Sequence, residues 1–217
     1  MRKIGILGLV GVLAVLLAGC GGGDPYSYPP PPPPPSSVDI QGDRSSDGYA
    51  ESPPLSPLDV QNDGIRAQSP LGLSPERRGF ASFPLSPIPV GAFVQTADVR
   101  LFVDRVIQDV KVPGVPLSGI PVSLDVYHVY YGSPLFGSDF SAPRVYVTTF
   151  DLFEEDAGKD LPFFEYASIL QLDVDDPTHA FFQLMLVATN GVVEIEDSEN
   201  TFGTTFTPLL QTTLLPP

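Results

Sequence analysis

Hydrophobic and polar residues alternate most clearly in the second half of the chain. In Val122–Tyr131, the residues Val122, Leu124, Val126, His128 and Tyr130 share one face at a period of two, the pattern of a half-buried strand. Arg144–Phe153 repeats it with Tyr146, Thr148, Phe150 and Leu152 on one side. Phe163–Val174 does so again through Phe164, Tyr166, Ser168, Leu170 and Leu172, and is read as a third strand. Phe181–Thr189 and Val192–Glu196 flank Asn190-Gly191, which supplies two positive-φ positions and favours a two-residue hairpin. That turn would pair Ala188 with Val193 and Leu186 with Ile195.

Thr96–Val112 fits two templates. Val99, Phe102, Val103, Val106, Ile107 and Val110 have helical spacing, with Thr96 placed to cap. The same run is dominated by β-branched residues and alternates over Val99, Leu101 and Val103, so a long strand with a bulge near Arg105 is the preferred reading. Thr201–Leu215, rich in threonine and leucine, closes the series as an edge or final strand. Many strands, frequent turns and no clear helix predict an all-β fold, an antiparallel β-sandwich, over residues 91–217. The phrase Pro116-Leu117-Ser118-Gly119-Ile120-Pro121-Val122-Ser123-Leu124 resembles the turn between the first two strands of bacterial immunoglobulin-like domains. The resemblance implies an immunoglobulin-like sandwich, although Thr148-Thr149 is followed by Phe150-Asp151-Leu152-Phe153 where that family has a glycine-rich turn.

Residues 21–90 read differently. They hold sixteen of the 26 prolines, seven of them in the unbroken run Pro29–Pro35. Such a run is a polyproline II rod of roughly 20 Å, at about 3.1 Å per residue. Ser36–Gln68 is Ser-, Asp-, Gly- and Gln-rich with isolated Leu and Val, a composition that buries too little surface to offset ordering entropy. The echoes Pro54-Leu55-Ser56-Pro57, Pro70–Pro75 and Pro84-Leu85-Ser86-Pro87 follow from composition more readily than from docking. Arg77-Arg78 is read as a solvated or processing-sensitive spot rather than a site. The expectation is a disordered Pro/Ser/Gly-rich linker over residues 20–90.

The first twenty residues differ again. Met1-Arg2-Lys3 precedes the uncharged run Ile4–Leu16, too short to span a bilayer at about 20 residues and shaped like a secretory leader. It ends in Leu17-Ala18-Gly19-Cys20, which resembles the lipobox of bacterial lipoproteins. The resemblance implies removal of residues 1–19 and lipidation of Cys20, and hence a membrane partner. Gly21 after the cysteine, with no aspartate before Asp24, implies the outer membrane. Cys20 is also the only cysteine, so the fold has no internal disulfide to rely on.

Charge narrows the partners. Once Arg2 and Lys3 leave with the leader, nine basic residues face 26 acidic ones, a formal charge of −17. Nucleic acid and anionic lipid both require clustered Lys and Arg and are disfavoured. Nucleophilic hydrolysis lacks a Gly-x-Ser-x-Gly elbow, and His128 and His179 carry no motif around them. His128 is expected to be a core or rim histidine. No cofactor is expected: the acidic turns read as solvated, and the strict Asp-x-Asp-x-Asp-Gly loop is absent. Calcium is the one ligand kept open, through Asp173, Asp175 and Asp176 at a strand end, with Glu154, Glu155, Asp156 and Asp160 crowding another turn. The leading expectation is a non-catalytic, lipid-anchored envelope protein displaying a sandwich for binding or assembly, with an envelope protein or a glycan as partner. The alternatives are an envelope protein that binds or hydrolyses polysaccharide through acidic loops and a platform of Tyr127, Tyr130 and Tyr131, and a purely structural spacer.

Overall fold

A computed structural model of the chain describes residues 31–52, 60–61, 64–70, 74–108, 119–196 and 207–216. Thirteen strands and one α-helix form among them: β1 Ser36–Gln41, β2 Gly48–Ser52, β3 Val60–Gln61, β4 Ile65–Gln68, β5 Glu76–Pro84, β6 Phe93–Arg100, β7 Phe102–Gln108, β8 Val122–Val129, β9 Arg144–Leu152, β10 Lys159–Asp160, α1 Ala167–Asp175, β11 Phe181–Thr189, β12 Gly191–Ile195 and β13 Leu209–Leu215. All pairings are antiparallel. One sheet has the order β1-β13-β6. The other curls through β10-β7-β12-β4-β5-β11-β8-β9, with β2 added to β5 and β3 to β2. The fold is all-β and sandwich-like, as the alternation predicts. One continuous core joins Ile40, Val94, Ala97, Leu210 and Leu214 of the small sheet to Phe83, Leu124, Val126, Phe182, Leu184 and Val193 of the large one.

The domain begins earlier than composition indicates. One compact unit runs from Pro34 to Pro217, and β1 to β5 all lie in the stretch read as linker. They bury the large side chains Ile40, Ile65, Phe80 and Phe83, but set them among small and polar residues: Ser46, Asp47, Glu51, Gln68, Ser69 and Ser82 are buried alongside Ala50, Ala67 and Ala81. Hydrogen bonding is what permits this. Asp47 Oδ1 accepts from the Ser82 amide at 2.7 Å, and Ser69 Oγ accepts from the Gly191 amide at 2.9 Å. Nor is Arg77-Arg78 solvated. Arg77 pairs with Glu51, while Arg78 pairs with Glu76 at 2.9 Å and stacks over Phe140 at 3.9 Å. Of the proline echoes, 54–57 and the 71–73 part of 70–75 lie outside the described residues, as does the 116–118 part of the immunoglobulin-like phrase. In the third echo, Leu85 and its neighbour Ile88 are buried.

Thr96–Val112 is extended as far as it is described, but as two strands. The chain leaves the small sheet after Arg100, passes through buried Leu101 and enters the large sheet at Phe102. The register slip expected near Arg105 does occur, at the pairing of Arg105 and Val103 with Glu194 and Ile195. The last strand, β13, is the centre of its sheet, with Leu210, Thr212 and Leu214 buried.

Phe163–Val174 is not a strand. Its second half is α1, because the apolar positions also satisfy helical spacing: Tyr166 and Leu170 are buried and Ile169 and Val174 pack against the core, while Leu172 is 66% exposed. Glu165 anchors the entry, its Oε1 accepting from the amides of Ala97 at 2.7 Å and Ala167 at 3.0 Å. Pro177 follows the helix end, where it cannot continue the ladder. Beside this anchor lies Asp98, whose pKa is raised chiefly by burial, against the pull of Arg100 and with help from Glu165 and Asp160. A carboxyl whose folded pKa is raised binds its proton more readily folded than unfolded, so stability falls as pH climbs through the region just above the ordinary carboxylate range. Asp98→Asn is therefore expected to raise the melting temperature at pH 7. The gain should vanish below about pH 4, where the unfolded aspartate is protonated as well. A gain that persists into acid in thermal melts would refute this account.

The Asn190-Gly191 hairpin does not form. β11 is flanked by β5 and β8, and β12 by β4 and β7. Asn190 takes the expected positive φ of 66°, but the chain turns a corner there between distant parts of the curled sheet.

Candidate functional site

The two histidines, 51 positions apart in sequence, meet on one carboxylate. β8 carries His128 on its core-facing side, and α1 packs against β6 so that Asp173, in its last turn, points inward and is 1% exposed. Gln171 fixes that packing: its Oε1 accepts from the Val94 amide at 2.7 Å. The loop after Pro177 returns His179. His128 Nε2 lies 2.8 Å from Asp173 Oδ2, and His179 Nδ1 lies 2.8 Å from Asp173 Oδ1. A carboxylate has no hydrogen to give, so both nitrogens donate. The tautomers follow: His128 carries its hydrogen on Nε2 and His179 on Nδ1.

The surroundings hold both rings in place. His128 stacks on Phe182 with centroids 5.7 Å apart, and Phe182 meets Tyr166 edge-on at 6.0 Å. Tyr130 stacks on His179 at 4.0 Å and donates its hydroxyl to the Thr178 carbonyl at 2.7 Å. Asp176 accepts from both the amide and the hydroxyl of Thr178, at 2.9 and 2.7 Å; these bonds, the hydroxyl first, hold its pKa below the usual carboxylate range. The negative end of a helix disfavours a carboxylate, and the two imidazole donors offset that at Asp173. The arrangement clamps α1 and its following loop to β8. His179 Nε2 is 3.7 Å from Asp176 Oδ2, beyond hydrogen-bond reach. A cleft of about 310 Å³ adjoins the cluster, walled by Leu85, Ile88, Val90 and Val174, with Asp173 and His179 along it.

His128 is thus the rim histidine expected, with a partner the sequence did not identify. The carboxylates suggested for calcium are not brought together. Asp173 faces the histidines, Asp175 accepts from Gln171 Nε2 at 2.8 Å, and Asp176 serves Thr178. In the acidic turn, Asp156 accepts from the Phe153 amide and Lys159, and Asp160 pairs with Arg100 at 2.6 Å. Among the described residues, no three His, Cys, Asp or Glu side chains are grouped to hold a metal ion. The tyrosine platform is not assembled either. Tyr131 is turned inward, its hydroxyl donating to Ser46 O at 2.8 Å and its pKa raised well above the usual value by burial. Tyr130 lies on His179, and Tyr127 sits beneath Arg144. Cys20 and the leader lie outside the described residues.

Sequence reasoning missed Asp173 as the hub because aspartates in an acidic chain are usually solvated. The one signal present was its spacing from Tyr166 and Leu170, which places it on the buried helical face. No protein-family model matches this chain, and comparison with curated proteins gave no match.

Proposed function

We propose that this protein is a lipid-anchored component of a bacterial cell envelope, held to the membrane through Cys20, with the outer membrane favoured, and displaying its β-sandwich for binding. The observation that carries the reading is the order of segments: a leader closed by Leu17-Ala18-Gly19-Cys20, a glycine and proline run, then β1 starting at Ser36, one residue after the last proline of that run. An acylated cysteine supplies more than one chain, which stable anchoring requires. The proline run between the cysteine and β1 serves as the spacer. The role is non-catalytic, and the His128–Asp173–His179 cluster serves it by locking α1 to the sheet.

The test is Cys20→Ser in the full chain. The native protein is expected in the membrane fraction, labelled by radioactive palmitate, and Cys20→Ser is expected unlabelled and released by salt-free lysis. Equal partition and no label on either form would end the lipid-anchor reading.

A further inference from the structure

Beyond the end where Tyr127 packs on a second buried cluster of Ala50, Phe80, Val129, Leu135 and Met185, the outer face of β8 and β9 carries a surface that neither the clamp nor the core uses. The register places Tyr146 beside Tyr127, Thr149 beside Asp125, and Asp151 beside Ser123. These residues share one face because a bulge at Val147 shifts the phase of β9 between Val126 and Tyr127. Plain alternation would put Tyr146 with Phe150, in the core. Instead Tyr146 is 57% exposed, a large aromatic ring left at the surface by a one-residue irregularity, the re-aiming for which bulges are known.

The neighbours of that ring form a linked polar row. The Tyr146 hydroxyl and Thr149 Oγ1 are 2.9 Å apart, and Thr149 Oγ1 donates to Asp125 Oδ1 at 2.5 Å. Ser123 Oγ donates to Asp151 Oδ1 at 2.6 Å. Arg144 lies over Tyr127 at 4.5 Å at the other end of the row. From Tyr127 to Ser123 the face runs four residues, about 13 Å at roughly 3.3 Å each.

We infer that this face binds a neutral, flat polysaccharide chain. The C–H face of a pyranose ring packs on an exposed aromatic ring, and its hydroxyls require acceptors and donors side by side. Tyr146 supplies the first, and Asp125, Thr149, Ser123, Asp151 and Arg144 supply the second. The carboxylates are oriented by their hydroxyl partners, so they are pre-set to accept from a ligand. Charge narrows the class: at a net −15 the chain repels acidic polymers. A β-1,4-linked chain, extended and flat, matches the extended strand face on which these side chains lie. This goes beyond the lipid-anchor reading and does not depend on it.

The test uses the full chain in detergent, with cellohexaose and chitohexaose as probes and polygalacturonate as the acidic comparison, read by calorimetry. Saturable binding to at least one neutral probe is expected, weakened at least tenfold by Tyr146→Ala and by Asp151→Asn, and less by Tyr146→Phe, which keeps the ring. Melting temperatures of these variants, all altered at exposed positions, should stay near that of the native protein and so separate lost contact from lost fold. Binding to neither neutral probe overturns the inference. So does binding unchanged by Tyr146→Ala, or tighter binding of polygalacturonate. None of these outcomes bears on where Cys20 places the protein, which the palmitate experiment reads separately.

Discussion

Asp173→Ala is expected to lower the free energy of unfolding by roughly 3 kcal/mol, two hydrogen bonds to a charged acceptor at about 1.5 kcal/mol each. The low end of the per-bond range applies because the histidines are not sealed: their side chains are 16% and 23% exposed, so their freed N–H groups can reach water in part. Asp173→Asn is expected to lose less. Its amide oxygen keeps one imidazole donor, and its NH₂ can serve the other ring once that ring changes tautomer. Urea titrations of the three proteins give the ordering native, then Asn, then Ala. Nitrogen shifts of His128 and His179 report whether the Nε2–H and Nδ1–H tautomers are lost with the carboxylate. An Asp173→Ala protein within about 0.5 kcal/mol of native would mean that the clamp contributes nothing and that α1 is held by its other contacts, Glu165, Tyr166, Leu170 and Gln171 among them.

The strands that read most clearly in sequence are those whose partners are also apolar. Val122–Val129 and Phe181–Thr189 lie side by side, each with large residues at every second position, so local pattern and tertiary environment agree. The first five strands were hidden for the opposite reason: their large buried residues, Ile40, Ile65, Phe80 and Phe83, stand apart among small and polar neighbours. Ala50, Ala67, Ala81 and Gly79 leave little hydrophobic signal, and Gly79 is small because Ile65 closes over it, with Cγ2 2.8 Å from where a Cβ would stand. The polar residues that reinforce them, Asp47, Ser69 and Ser82, look like linker until their hydrogen-bond partners, tens of residues away, are known. The helix was masked by a coincidence of periods: Tyr166, Leu170 and Leu172 alternate, and only burial shows that Leu172 faces water. The site was illegible on the same ground. His128, Asp173 and His179 have no sequence spacing in common, and the α1 packing that joins them depends on Gln171 reading the backbone of β6. The surface of β9 required a bulge, which no pattern in Arg144–Phe153 announces.

Gly191→Ala decides how the Asn190-Gly191 signal should be understood, and it is expected to cost more than about 3 kcal/mol, beyond ordinary overpacking. In a two-residue hairpin the glycine sits at an exposed turn with positive φ, and alanine would cost about 1–2 kcal/mol for the left-handed backbone alone. In the observed corner, a Cβ at Gly191 would stand 2.2 Å from the Ile107 carbonyl oxygen and 2.7 Å from Val122 Cγ2. The valine can move, but the carbonyl belongs to the β7–β12 ladder and cannot. Gly191 also exchanges bonds with Ser69, its amide donating to Ser69 Oγ and its carbonyl accepting from the Ser69 amide at 3.0 Å, so any shift opens the β4 side as well. Three measurements by denaturant unfolding follow. Gly191→Ala should be severely destabilised, Gly191→Ala with Val122→Ala should not be rescued, and Gly137→Ala, which meets nothing within 4 Å, should stay within about 0.5 kcal/mol of native. Rescue by Val122→Ala would show that the side chain, not the carbonyl, sets the limit and that the corner can relax. A loss of only 1–2 kcal/mol would return the segment to a hairpin. The hairpin would pair β11 with β12 and take β11 from β5 or β8, separating Phe182 from His128 and leaving the β8–β9 face without its support.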